Sequence, residues 1–175
     1  MKISASRHNL RGQGTPSNRS PHFIIGVIMT RFLSIFFVVS ALFIAPAYSD
    51  EKVIEMLNKR EDGARMVYSE DITYINPGDT IKWLPTDKGH NVEFIAGPEG
   101  YELLKRSKVN KEVSLTFDIP GVYLYQCTPH RTMGMIALVV VGEDVSNLKQ
   151  IAATKTFGIS KKKLSSLVTG LSLGK

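Results

Sequence analysis

Between residues 51 and 142 the apolar positions fall in short runs with the period of strands. Val113, Leu115 and Phe117 alternate with Glu112, Ser114 and Thr116, a pattern that gives a segment one buried face. Lys52–Leu57, Met66–Ser69, Thr80–Leu84, Asn91–Ile95 and Val122–Gln126 read as further β-like segments. Ile136–Val141 is a continuous apolar run closed by Gly142. Turn chemistry separates them. Asn76-Pro77-Gly78-Asp79 precedes Thr80, and Pro120-Gly121 precedes Val122; in such turns proline presets φ and glycine supplies a positive φ. Many short strands between Gly/Pro turns predict a β-sandwich or barrel. After Gly142 the period changes. Leu148, Ile151 and Ala152 have helical spacing, with Asp144 or Ser146 as N-cap, and a second helix starting at Ser160 carries Leu164, Leu167 and Val168 on one face. Lys161-Lys162-Lys163 then forms that helix's solvated face. Residues 50–142 are expected to form the sandwich, and 143–175 a helical appendage of the same domain.

The start of the chain has a different pattern. Met29-Thr30-Arg31 leads into an apolar run from Phe32 to Ala45 and then Pro46-Ala47-Tyr48-Ser49-Asp50. A short basic start, an apolar stretch and small residues at 47 and 49 are the parts of a secretory signal peptide, with cleavage after Ser49. The run is shorter than the roughly 20 residues a spanning helix needs, so 29–49 is expected to be a removed leader and the mature chain to have no membrane anchor. Residues 1–28, polar and rich in Arg, Ser and Gly, read as an upstream extension, with translation beginning at Met29.

Charge changes the picture only by its location. The formal net charge is +6. Residues 1–49 hold five basic residues and no acid, so 17 of the 22 basic residues face all 16 acids in 50–175. The mature chain is close to neutral at +1, which removes the electrostatic footing of nucleic-acid binding. One cysteine excludes an internal disulfide, and a free thiol in an exported protein calls for something to occupy it.

The candidate chemistry lies in Cys127-Thr-Pro-His130-Arg-Thr-Met133-Gly-Met135, a stretch between two expected strands. His90 follows Lys88-Gly89 upstream. The chain has four histidines, and His8 and His22 fall in the leader region, which leaves His90 and His130 as ligand candidates. A thiolate, a thioether and two imidazoles suit copper cycling between Cu(I) and Cu(II). Zinc is the main competitor, but structural zinc sites are rich in Cys and His without Met. Each residue alone has a plainer reading: a lone Cys as a small buried hydrophobe, a lone His as hydrogen-bonded structure, a Met as core. Their joint spacing argues for the metal.

From Lys52 to about Gly170 the chain resembles the pseudoazurins, a family of cupredoxins. The matching stretches are Met-Leu-Asn-Lys (56–59), Asn-Pro-Gly-Asp-Thr (76–80), Asp-Lys-Gly-His-Asn-Val-Glu (87–93), Cys-Thr-Pro-His (127–130) and Met-Gly-Met-Ile-Ala-Leu (133–138). The resemblance implies a mainly β fold: an eight-stranded Greek-key β-sandwich with two short C-terminal helices and one type 1 (blue) copper near one end. It implies His90 and His130 as imidazole ligands, Cys127 as thiolate, and Met135 rather than Met133 as the weak axial thioether. Asn91 is implied to tie the ligand loops together. Pro129, lacking an N–H, is implied to raise the potential by withholding a hydrogen bond from the sulfur. Gln126 stands where Lys is frequent in the family, Arg131 where an aromatic is common, and Arg65 looks like an insertion before Met66.

The function so implied is that of a soluble periplasmic one-electron carrier, a monomer, donating to a redox enzyme such as copper nitrite reductase or another denitrification enzyme. An enzyme of the same fold needs further His-rich centres, and this mature chain has two histidines. The alternative is a periplasmic copper-delivery or storage protein; a metal-free β-sandwich binding module is the plainest reading. For docking, Lys59, Lys88 and Arg131, with Lys105, Arg106 and Lys108, are expected to form a basic rim that faces an acidic patch on the partner.

Overall fold

The computed structural model describes residues 49–102 and 105–174. The readings of 1–28 as an extension and of the leader through Tyr48 lie outside the described residues. Eight strands, β1 (Glu51–Lys59), β2 (Arg65–Tyr68), β3 (Ile72–Ile75), β4 (Thr80–Leu84), β5 (Glu93–Ala96), β6 (Val113–Thr116), β7 (Gly121–Gln126) and β8 (Ile136–Val141), precede helices α1 (Leu148–Ala152) and α2 (Ile159–Leu173). One sheet has the order β2-β1-β4-β6 and the other β3-β8-β7-β5. β1 runs parallel to β4 and β3 to β8, while the other neighbours are antiparallel. This is the expected mainly β sandwich of two four-stranded sheets with two C-terminal helices.

Every residue of β7 and β8 is buried, and the strand period divides them between two cores. Tyr123, Tyr125, Ala137, Val139 and Val141, with Phe94 of the same sheet, face the other sheet, against Trp83 and Phe117. Val122, Leu124, Ile136, Leu138 and Val140 face outward and are covered by Ile151 of α1 and by Leu164 and Leu171 of α2. A strand covered on both faces reads as an unbroken apolar run, as 136–141 does.

Three local expectations change. Strand β3 has no counterpart in the pattern, because its Thr73 is buried and its Tyr74 is 62% exposed, the reverse of the usual alternation. Thr73 is tolerated inside because its hydroxyl donates to Glu70 Oε2 at 2.9 Å. The N-cap position of α1 is occupied by Asn147, not by Asp144 or Ser146, and its side chain makes no capping bond. Its amide instead accepts from Val122 N (2.9 Å) and donates to Val122 O (2.8 Å), tying the helix start to β7. Lys163 is not on a solvated face: its Nζ lies 2.7 Å from Asp71 Oδ1, and Asp71 also holds Arg60 at 3.1 Å.

Candidate metal centre

The strand period continues past the ends of β7 and β8 and carries two sulfur-bearing side chains inward. Cys127 extends the series Tyr123, Tyr125, and Met135 precedes Ala137, Val139; both are fully buried and belong to the inter-sheet core. The ladder also extends one rung, with Cys127 N donating to Met135 O at 2.9 Å. Beyond that rung the chain leaves the sheet. His130 N donates to Cys127 O (3.1 Å) and Met133 N to His130 O (2.9 Å), so residues 127–133 close as successive turns. Met133 sits on those turns with 47% of its surface exposed.

His90 arrives from the β4–β5 connection. Gly89 before it has φ +95°, a conformation in which glycine carries no steric cost, and a Cβ there would lie 3.9 Å from His130 Cε1. Gly89 N donates to Asn110 Oδ1 (2.6 Å) and Asn110 N to His90 O (2.9 Å). The imidazole is fully buried. Its Nε2 lies 3.0 Å from Asn58 Oδ1, which leaves Nδ1 turned to Cys127 Sγ at 3.7 Å. His130, half-buried, presents Nδ1 to the same sulfur at 3.5 Å.

Among the described residues, His90, Cys127 and His130 form the cluster whose donor atoms all lie within 4.8 Å of one another. Bonds of about 2.0–2.3 Å from a shared metal to nitrogen and sulfur, at angles of roughly 110–120°, separate the donors by about 3.5–3.8 Å. The two S···N distances fall in that range, so the residues present fit the group. Burial lowers the His90 pKa, with the neighbouring His130 adding to the effect and Asp87 opposing it. Burial also lowers that of His130. Both shifts favour the neutral form that ligation requires. Burial pushes the Cys127 thiol up, while the N–H groups of Asn91 and His130 pull the other way. A buried thiolate is thus stabilised by a cation in place of its proton.

Asn91 joins the two connections. Its Oδ1 accepts from Thr128 N (2.8 Å), and its Nδ2 donates to Thr128 Oγ1 and Ser107 O, both at 3.2 Å. Its own carbonyl accepts the buried Tyr68 hydroxyl at 2.9 Å. Pro129 is exposed on the loop. Lys59, Lys88 and Arg131 are exposed around these connections, and Arg106 and Lys108 share a surface hollow with Asn91, Thr128 and Pro129. Gln126 is nearly buried, donates to Glu93 Oε2 at 2.7 Å and so takes no part in a surface.

Two contributors carried no assigned role in the sequence reading. Asn58 stood inside the matched stretch 56–59, but a side chain at a strand end gives no signal of the ring it will orient. Phe157 comes from the α1–α2 connector and lies under the Arg131 guanidinium at 5.6 Å; only the packing of the helices brings it there.

A two-sheet β-sandwich that closes at one end over Cys, two His and a buried Met defines the blue copper proteins of the cupredoxin class. The family model of copper-binding proteins of the plastocyanin/azurin family matches residues 54–142. A pseudoazurin of Methylorubrum extorquens is 44% identical over 124 residues, 70% of this chain and 82% of that protein. A pseudoazurin of Paracoccus pantotrophus is 46% identical over 120 residues, 67% of this chain and 79% of that protein. Among solved structures, a Sinorhizobium pseudoazurin superposes with a TM-score of 0.68 at 40% identity, covering 72% of this chain and 99% of that one. The chain belongs to the pseudoazurins, within the plastocyanin/azurin family. It is accordingly a blue copper electron carrier and not an enzyme. Among the described residues, no helix is long and apolar enough to cross a membrane.

Proposed function

We propose that this chain is a soluble one-electron carrier of the periplasm whose copper is held by His90, Cys127, His130 and Met135. The reading rests on one observation: Cys127 Sγ lies 3.7 Å from His90 Nδ1 and 3.5 Å from His130 Nδ1, with Met135 fully buried in the same core cluster as the sulfur. Copper supplies a reversible one-electron couple at such a donor set. The chain's own residues keep the donors in place. Asn58 fixes the His90 ring, and Asn91 locks the two ligand connections to each other, so little has to move when the electron does. Pro129 offers the sulfur no N–H, which leaves it to the amides of Asn91 and His130 and favours a higher potential. Cys127→Ser is expected to abolish the intense visible charge-transfer band while the sandwich still folds; a variant that keeps full visible absorption sinks the assignment.

The electron leaves by the His130 edge. On the loop that carries it, and on the helix connector packed against that loop, are the exposed apolar side chains Met133 (47%), Phe157 (44%) and Ile159 (65%). Lys59, Lys88 and Arg131 supply a basic rim to this apolar face, suited to a small, quickly released contact with an acidic patch. The partner is a redox enzyme, a copper nitrite reductase or another denitrification enzyme. Export removes the leader after Ser49. The backbone nitrogen of Asp50 is 2.9 Å from the Asp79 carboxylate, so the new ammonium group meets an anion already in place. Sequencing of the purified protein is expected to begin at Asp50.

A further inference from the structure

The ligand loop is held at its base by β7 and β8, but its far side rests on the connector between the two helices, and the contacts follow residue by residue. Phe157 lies under Arg131, guanidinium to ring centroid 5.6 Å. Ile159 N donates to Thr132 O at 2.9 Å. Gly134 backs onto Ile159, whose Cγ2 a Cβ at 134 would meet at 3.2 Å. Gly158, between these contacts, has φ 56° and ψ −133°, a region open to glycine and strained for other residues. A methyl group on it would overlap the Thr132 carbonyl, which is backbone and has nowhere to yield. The connector is in turn anchored from both ends, by Ile151 of α1 and by Leu164 and Leu171 of α2, all buried on the outer face of β7 and β8.

We propose that Gly158 and Ile159 are positioning residues for the metal centre: the helical appendage is an external brace that sets the course of the loop from His130 to Met135. The inference rests on reading 127–135 as the ligand loop and adds to it a cause outside the sandwich. Two β-strands fix only the ends of a nine-residue loop. The Thr132 carbonyl lies between the exposed-edge ligand and the axial one, so a bond to it from a rigid neighbour constrains both. The close approach that permits this bond exists only with glycine at 158. Loosening the brace therefore alters the spacing of His130 and Met135 without removing either.

The experiment compares Gly158→Ala with Leu164→Ala in the full chain. Leu164→Ala destabilises the appendage from its buried face, where Leu164 packs with Ile151 and the outer side of β7 and β8, so it controls for lost stability. In metal-free protein, the Ile159 amide is expected to exchange about tenfold or more faster in Gly158→Ala than in Leu164→Ala, as the local bond opens. In copper-loaded protein, Gly158→Ala is expected to change the ratio of the visible charge-transfer bands and the reduction potential, and Leu164→Ala to leave both near the wild-type values. Ile159→Val, which keeps the N–H and most of the contact, is expected to behave as wild type. Equal amide exchange in the two alanine variants, or equal spectral shifts, overturns the brace. A wild-type protein without the charge-transfer band overturns the ligand reading instead, and the brace is then decided by amide exchange in the metal-free chain.

Discussion

The two sheets bury themselves differently. In β7 and β8 all twelve positions are buried, one face against the aromatic inter-sheet core and the other against the helices. In β4 and β6 of the facing sheet, buried or half-buried positions alternate with more open ones, because the two helices pack on β7 and β8 instead and, among the described residues, no helix covers the outer face of β4 and β6. Both expected ligands with sulfur extend from the doubly covered strands. A site whose donors must hold their spacing through a change of charge is thus hung on the part of the fold with least freedom to move. The solvent-facing sheet contributes Asn58 at the end of β1, which orients a ring without carrying a ligand itself.

The contrast is broken most directly by truncation. Leu124→Ala empties space in a strand covered on both sides and is expected to cost about 2–5 kcal/mol. Leu115→Ala, half-buried in β6, is expected to cost at most about 1.5 kcal/mol, since less apolar surface leaves water there. Urea unfolding of both variants measures the difference, and equal losses would erase the distinction between the sheets.

The second prediction tests where the inward period ends. Met135→Leu is expected to raise the potential and change the visible spectrum clearly; Met133→Leu, on an exposed turn, only slightly. Redox titration and absorption spectra compare them, and the opposite ranking moves the axial ligand to Met133.

A third concerns the tie between the appendage and the segment joining β2 to β3. Burial raises the Asp71 pKa, but the Arg60 and Lys163 bonds outweigh it, and the net shift is downward. A carboxylate depressed in the folded state adds stability above its unfolded pKa of about 3.9 and loses it as the pH falls through the lower folded value. Wild type is therefore expected to lose part of its advantage over Asp71→Asn below about pH 4. At neutral pH the difference is expected to be on the order of 1 kcal/mol, as the pairs are partly solvated. Thermal unfolding at pH 7 and pH 3 is the check; an advantage that persists in acid removes the carboxylate from the account.

The smallest effect is expected at the rim. Lys88→Glu and Arg131→Glu should slow electron transfer to an acidic partner at low salt and leave the copper spectrum unchanged. The difference should fade above about 0.1 M salt, where the screening length is about 10 Å. Rates independent of ionic strength would leave the apolar face alone to dock.

Much of this was legible in residues 51–142. β4 and β8 run over the stretches that periodicity and turn residues marked, because both are bounded by glycine or proline punctuation and carry strong apolar patterns. Two members of the Cys–His–His cluster, Cys127 and His130, were visible because one hairpin loop carries both in a short run with Met133 and Met135. Other features had no local signal. β3 was hidden, since a buried Thr73 depends on Glu70 and an exposed Tyr74 defies the usual pattern. Lys163 looked solvated until Asp71, far away in sequence, came within 2.7 Å.

The sequence by itself determined the donor types, their spacing within the loop and the strand-rich frame, because these follow from residue chemistry and short-range period. Only the tertiary structure decided that His90 turns Nδ1 toward the sulfur, because that choice belongs to Asn58 on β1. It also decided that Met133 is exposed while Met135 is buried, because the ladder ends between them. The contact of Phe157, Gly158 and Ile159 with the ligand loop arose in the same way. Such contacts join residues more than twenty positions apart, and no local preference encodes a distance that only the packing of helices on a sheet brings about.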